Sequence, residues 1–165
     1  MQPPPFHWQT LVTMFERIGL AYALTLPTAW WREKQEHAVG LRTFPIVAMA
    51  SCGYLLILSD FTGSDGLAAN SRVLQGLVAG IGFVGGGAIV KEGASVHGTA
   101  TAASIWNTGA IGAAVALGKY EVAIVLAVLN IVTLEALVPL KKRLRKDEEG
   151  NGNGDSDRAG VSKSE

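Results

Sequence analysis

An all-α, polytopic membrane fold with about five transmembrane helices and a disordered C-terminal tail is predicted from three features of the 165-residue chain. Hydrophobic residues make up 48% of it, charged residues only 17%, and there are 20 glycines, a composition too apolar and glycine-rich for an ordinary soluble domain. Charge is also confined: residues 18–31, 43–59, 73–90 and 93–118 hold no Asp, Glu, Lys or Arg. A membrane core needs about 20 mostly apolar residues per helix, within a range of about 17–25, so these runs read as spans.

The first nine residues form an extracytoplasmic segment, because Pro3, Pro4 and Pro5 cannot continue a helix and His7 and Trp8 suit the headgroup level. Span one is predicted over 10–31, with Trp30 and Trp31 at its far interface. It lacks a positive charge before the apolar run and a clear small-residue cleavage site after it, so it is expected to stay in the mature protein rather than act as a signal peptide. Span two covers 43–59 and gives way to a polar turn from Asp60 to Gly66 without Lys or Arg. Spans three, four and five are predicted over 69–90, 98–117 and 121–140, Pro139 helping to stop the last. The tail, 141–165, opens on five basic residues and continues into Asp-Glu-Glu-Gly-Asn-Gly, with almost nothing to bury, so 147–165 read as disordered.

Orientation follows from the basic residues. Arg32, Lys34, Arg42, Lys91, Lys141, Lys142, Arg143, Arg145 and Lys146 fall on one side, and between spans the other side has only Lys119. That places the N-terminus outside and the C-terminus in the cytoplasm.

Four charged residues lie inside predicted spans. Glu16 and Arg17 sit about seven residues, hence about 10 Å, inside span one, where an unpaired charge costs several kcal/mol. Arg72 is at the outer end of span three, so an outer cluster of Glu16, Arg17 and Arg72 is geometrically possible; snorkelling of both arginines to the headgroups is the plainer reading. Glu135, near the inner end of span five, is placed to pair with Arg32, Arg42 or Lys91. Cys52 falls within span two and reads as packing only.

The glycines of span three are the most informative feature. Gly76, Gly80, Gly82 and Gly86 give two small-xxx-small spacings, which let helix backbones approach closely in lipid. Gly85, Gly86 and Gly87 in a row weaken a helix by about 1 kcal/mol each, which could open a kink or re-entrant backbone with amides free to meet an anion. A phosphate loop is excluded, because Lys91 follows Val90 and precedes Glu92 rather than completing the G-x-x-x-x-G-K-[ST] order. Glu33, His37, Glu92 and His97 share the cytoplasmic side without the spacing of a zinc site, so no metal site and no cofactor are expected. Nor is there a serine, cysteine or histidine constellation resembling an activated nucleophile, and the chain is read as not an enzyme.

Two segments carry a family resemblance. One is Trp31-Arg32-Glu33-Lys34-Gln35-Glu36-His37-Ala38-Val39-Gly40-Leu41-Arg42-Thr43-Phe44-Pro45. The other runs from Gly80 through Gly82, Gly85, Gly86 and Gly87 to Gly98, Thr101, Ala102, Ser104 and Trp106. Together, over roughly residues 10–140 of the chain, they resemble the MgtC/SapB membrane-domain family. The resemblance implies a bacterial inner-membrane protein of five helices, associated with growth under magnesium limitation and in some members with survival inside host cells. Arg32, Glu33, Gly40, Leu41, Arg42 and Thr43 match the first motif, whereas Trp31 stands where members usually carry an acidic or amide residue. Many members continue into an ACT-like regulatory domain that this chain does not show. A non-catalytic regulator of ion or energy balance follows, binding the bilayer and another membrane protein or a second copy of itself, with no nucleic-acid partner. The competing expectation is a small divalent-cation transporter using Glu16, Glu33 or Glu135, with magnesium binding left open.

Overall fold

The computed structural model describes residues 7–36, 40–58 and 66–136. Among them five helices run in chain order: α1 Trp8–Glu36, α2 Thr43–Leu58, α3 Gly66–Gly86, α4 Thr99–Ala116 and α5, residues 120–136. A short antiparallel hairpin, β1 Val90–Glu92 and β2 Ser95–His97, lies between α3 and α4. The helices stand where the apolar runs place them, and the hairpin is an addition to the all-α expectation. The predicted tail and the N-terminal residues 1–6 lie outside the described residues.

Boundaries shift for local reasons. α1 runs through Trp31 to Glu36, because nothing after the paired tryptophans breaks a helix before residue 37. Pro27 sits inside it, removing one backbone donor from the third-to-last turn. α3 stops at Gly86, four residues short of the expected end. Gly87 donates to the Phe83 carbonyl at 3.1 Å, Ala88 to Gly85 at 3.0 Å and Ile89 to Gly86 at 3.1 Å, so the glycine run closes the helix in a turn. Those amides are used, and the re-entrant loop with free donors is not what forms. Gly118, at φ 68°, ends α4 in the left-handed conformation, with Lys119 donating to the Ala114 carbonyl at 2.8 Å.

Among the described residues, those up to Ile131 belong to one compact unit and those from Val132 to a second. Within the first, α2 packs against both α1 and α4, and the core is built from small side chains: Ala21, Ala48, Cys52, Ala114, Ala123 and Ala127 around Ile111 and Val115. α3 meets α4 and touches α2 more sparsely.

Among the described residues no helix is long and apolar enough to cross a membrane. The shortfall has two sources. α2 is strongly apolar but only 16 residues long. α1 is 29 residues long but carries Glu16 and Arg17 in its apolar half, and α3 and α4 are diluted by Arg72, Gln75, Asn107 and several hydroxyl residues. Large apolar side chains nevertheless stand exposed: Phe15 is 80% exposed and Phe83 85%, in company with Trp8, Ile57, Leu117 and Leu129.

Candidate functional site

The two motifs that are far apart in sequence come together at one end of the first unit. Arg32, in the last turns of α1, is 4% exposed and donates through Nη2 to the Thr101 hydroxyl in the first turn of α4. One residue on, the Glu33 carboxylate accepts the backbone N–H of Leu41 at 3.1 Å, holding the strand of chain that enters α2. Gly40 is buried against this corner, and a Cβ there would stand 2.8 Å from both the Ala29 carbonyl oxygen and the Glu33 nitrogen. Only glycine fits that approach. Arg42 and Thr43 then start α2, with Ile46 donating to the Arg42 carbonyl at 3.2 Å.

The second motif supplies the other wall. Gly98 caps α4 at φ 82°, and a Cβ would collide with the Ala88 carbonyl, which fixes how the hairpin returns to the helix. Gly85 lies against Ala102, whose carbonyl oxygen is 3.1 Å from where its Cβ would be. Trp106 points away and is half exposed. A Cβ at Gly80, Gly82 or Gly86 would meet nothing within 4 Å, so among the described residues no neighbour fills the small-residue spacings of α3.

From Arg32 a buried polar seam runs along the α1–α4 contact. Thr25, Thr28 and Arg32 recur at spacings of three and four on α1; Thr101, Ser104 and Thr108 do the same on α4, and all six are buried. These are the intervals that keep residues on one helix face. Thr25 bonds back to the Ala21 and Tyr22 carbonyls at 3.2 and 2.9 Å, and Thr108 to the Ser104 carbonyl at 2.8 Å. Ser104 donates to the Asn130 Oδ1 of α5 at 3.1 Å, and Asn107 to the Leu126 carbonyl at 3.2 Å. The Thr28 hydroxyl and the Asn130 amide nitrogen are buried without a partner. The sequence reading had Arg32, Thr101 and Ser104 only as motif positions and missed Thr25, Thr28, Thr108 and Asn130, though the three-four rhythm of hydroxyls was there to be seen.

The sequence allows an outer cluster of Glu16, Arg17 and Arg72 beside the plainer reading of snorkelling arginines, and Arg17 finds a different partner. Arg17 turns to α4 and donates to the Ala116 carbonyl at 3.0 Å, a cation on the negative end of a helix dipole. Glu16 is exposed, and Arg72 lines a groove between α2 and α3. Glu135 is exposed on α5 in the second unit. On the hairpin, Glu92 pairs with Ser95 and His97 with Val90, so the two potential ligands share a face as diagonal neighbours without standing directly opposite; His37 lies outside the described residues. Among the described residues no group of three or more His, Cys, Asp or Glu could hold a metal ion.

Comparison with known proteins agrees with the motif reading. Protein SrpB of Synechococcus elongatus is 31% identical, over 67% of each chain. The Escherichia coli K12 protein named "Putative magnesium transporter YhiD" is 32% identical over 68% of this chain, and Protein MgtC of Brucella abortus 32% over 81%. In both of the latter the chain spans 55% of the relative's length. No solved structure matches. Residues 18–143, which take in both motifs and the seam between α1 and α4, match the MgtC family, and the chain belongs to it.

Proposed function

We propose that this chain is a non-catalytic inner-membrane protein that adjusts ion or energy balance under magnesium limitation by binding another membrane protein. In this reading its N-terminus is outside and its C-terminus cytoplasmic. The observation that carries it is the open outer face of α3. Gly82 and Gly86 are exposed, a Cβ at either would meet nothing, and Phe83 beside them is 85% exposed. A four-residue glycine spacing beside a large bare aromatic is a surface on which another helix can lie close, the chief source of attraction between helices in lipid. Large exposed apolar side chains on the other helices favour the bilayer as their surroundings. Thr101, Ser104 and Thr108 of α4 are turned inward onto the seam with Thr25, Thr28 and Arg32 of α1, which supports a bundle that crosses together what one helix cannot cross alone, with Glu16 left on the outside.

A photoreactive phenylalanine analogue at position 83, activated in intact cells, tests this. A covalent adduct with a second membrane protein, lost in Gly82→Leu and Gly86→Leu, is the expected result; adducts with lipid or with itself alone count against it.

Divalent-cation transport is the second reading, favoured by the name of the YhiD relative. Magnesium flux into liposomes holding only this protein, abolished by Glu16→Gln or Glu135→Gln, would establish it and displace the regulator.

A further inference from the structure

α3 has a second glycine face, distinct from the one just described. At about 100° per residue, the mean direction of Gly76 and Gly80 is about 120° away from that of Gly82 and Gly86. They line a groove between α2 and α3 of about 620 Å³, floored by Val47, Ala50, Leu77 and Val84. Its room comes from missing side chains, since a Cβ at Gly76 or Gly80 would meet nothing within 4 Å.

The shape selects the occupant. From Arg72 to Val84 the groove follows twelve residues of α3, about 18 Å at 1.5 Å per residue, slightly more than one leaflet of a hydrocarbon core about 30 Å thick. One extended acyl chain of a single leaflet matches that length.

The chemistry of the two ends differs. Arg72 is the one charged residue among those lining the groove, and it stands at the same end as Tyr54, both exposed. Along the floor the polar group is Ser51, whose hydroxyl is already spent on the Val47 carbonyl at 2.8 Å. An amphiphile is implied, with a negative head for the guanidinium and an apolar tail for the trough.

We infer that the α2–α3 groove binds one acyl chain of an anionic phospholipid, with its phosphate on Arg72. The inference rests on the membrane reading above and places the lipid in the outer leaflet.

Native mass spectrometry of the full chain in mild detergent, titrated with dioleoylphosphatidylglycerol and, separately, dioleoylphosphatidylcholine, tests it. One phosphatidylglycerol is expected to be retained in preference to phosphatidylcholine. Arg72→Gln should weaken it about tenfold, the loss of a charge-assisted bond, and erase the preference. Gly80→Leu should remove binding of both lipids by filling the trough, whereas Gly19→Leu, on a bare part of α1, should change nothing. Folded protein that retains no lipid, retention indifferent to Arg72 and Gly80, or a dimer that Gly80→Leu dissolves would each overturn the inference. An alkaline carbonate wash separates the two claims: protein released from membranes defeats the membrane reading itself, while protein that stays in the pellet yet binds no lipid defeats only the groove.

Discussion

Gly112 and Gly82 are both mid-helix glycines in apolar surroundings, and the molecule uses them in opposite ways. At Gly112 a Cβ would drive into the Ala48 carbonyl and touch Ser51, because α4 and α2 are pressed together there. At Gly82 the same atom would meet nothing. The α1–α2–α4 side is therefore a finished interior, in which small residues and buried hydroxyls are matched to neighbours, whereas α3 holds its glycines toward unfilled space. A glycine in the first region is required by what is present; in the second it awaits something else.

The sharpest way to break this contrast is to fill the closed side. Gly112→Leu should cost about 3 kcal/mol or more, since the obstacle is backbone and cannot swing away; unfolding in mild detergent, followed by circular dichroism, measures it. A cost below that of an ordinary surface change would mean that α2 and α4 are not in contact. Next comes the seam. Thr101→Val keeps the shape but removes the acceptor of the buried Arg32 guanidinium, and about 2 kcal/mol should be lost. A double-mutant cycle with Arg32→Met checks the assignment, because a coupling near zero would mean that the two side chains do not meet.

How much of this could be read from the sequence divides along the same line. Helix positions were legible because hydropathy is a local property: each of the five apolar runs became a helix. The end of α3 was not, since Gly85, Gly86 and Gly87 are equally compatible with a kink and with a stop, and only the turn bonds at Ala88 and Ile89 decide. The hairpin at Val90–His97 falls almost wholly in the connection predicted between spans three and four, where no strand is expected, although Gly93 and Gly98, both with positive φ, bracket its turn and its exit. Arg32 and Glu33 were identified by motif, but their partners Thr101 and Leu41 are tertiary facts, one of them 69 residues away. Arg17 reads from the sequence as snorkelling or, less plainly, as clustering with Glu16 and Arg72, and instead it caps α4, a choice set by the antiparallel packing of α1 on α4. The small-xxx-small spacing of α3 was plain, but spacing cannot say whether a neighbour fills it.

Within the closed side one position should behave as an exception. The Thr28 hydroxyl is 1% exposed and has no partner. Replacing it by the isosteric valine removes a desolvated polar group, and Thr28→Val should stabilise the protein by about 1 kcal/mol. A loss of stability instead would show that an ordered water bridges Thr28 to the rest of the seam, with Asn130 as its other natural contact.

The smallest effect is expected where the comparison is most exposed to failure. Gly82→Ala adds a methyl group to empty space and removes the conformational freedom that glycine carries in the unfolded chain, so the isolated protein should gain about 0.5 kcal/mol. The same methyl group would stand between α3 and any helix lying on it. Adduct formation from position 83 should therefore fall in Gly82→Ala even as stability rises, and these opposite signs distinguish a surface kept bare for a partner from one that is merely loose. If stability and adduct formation rise together, the bare glycines of α3 are not a contact surface, and the difference between the two sides of the bundle is one of packing density alone.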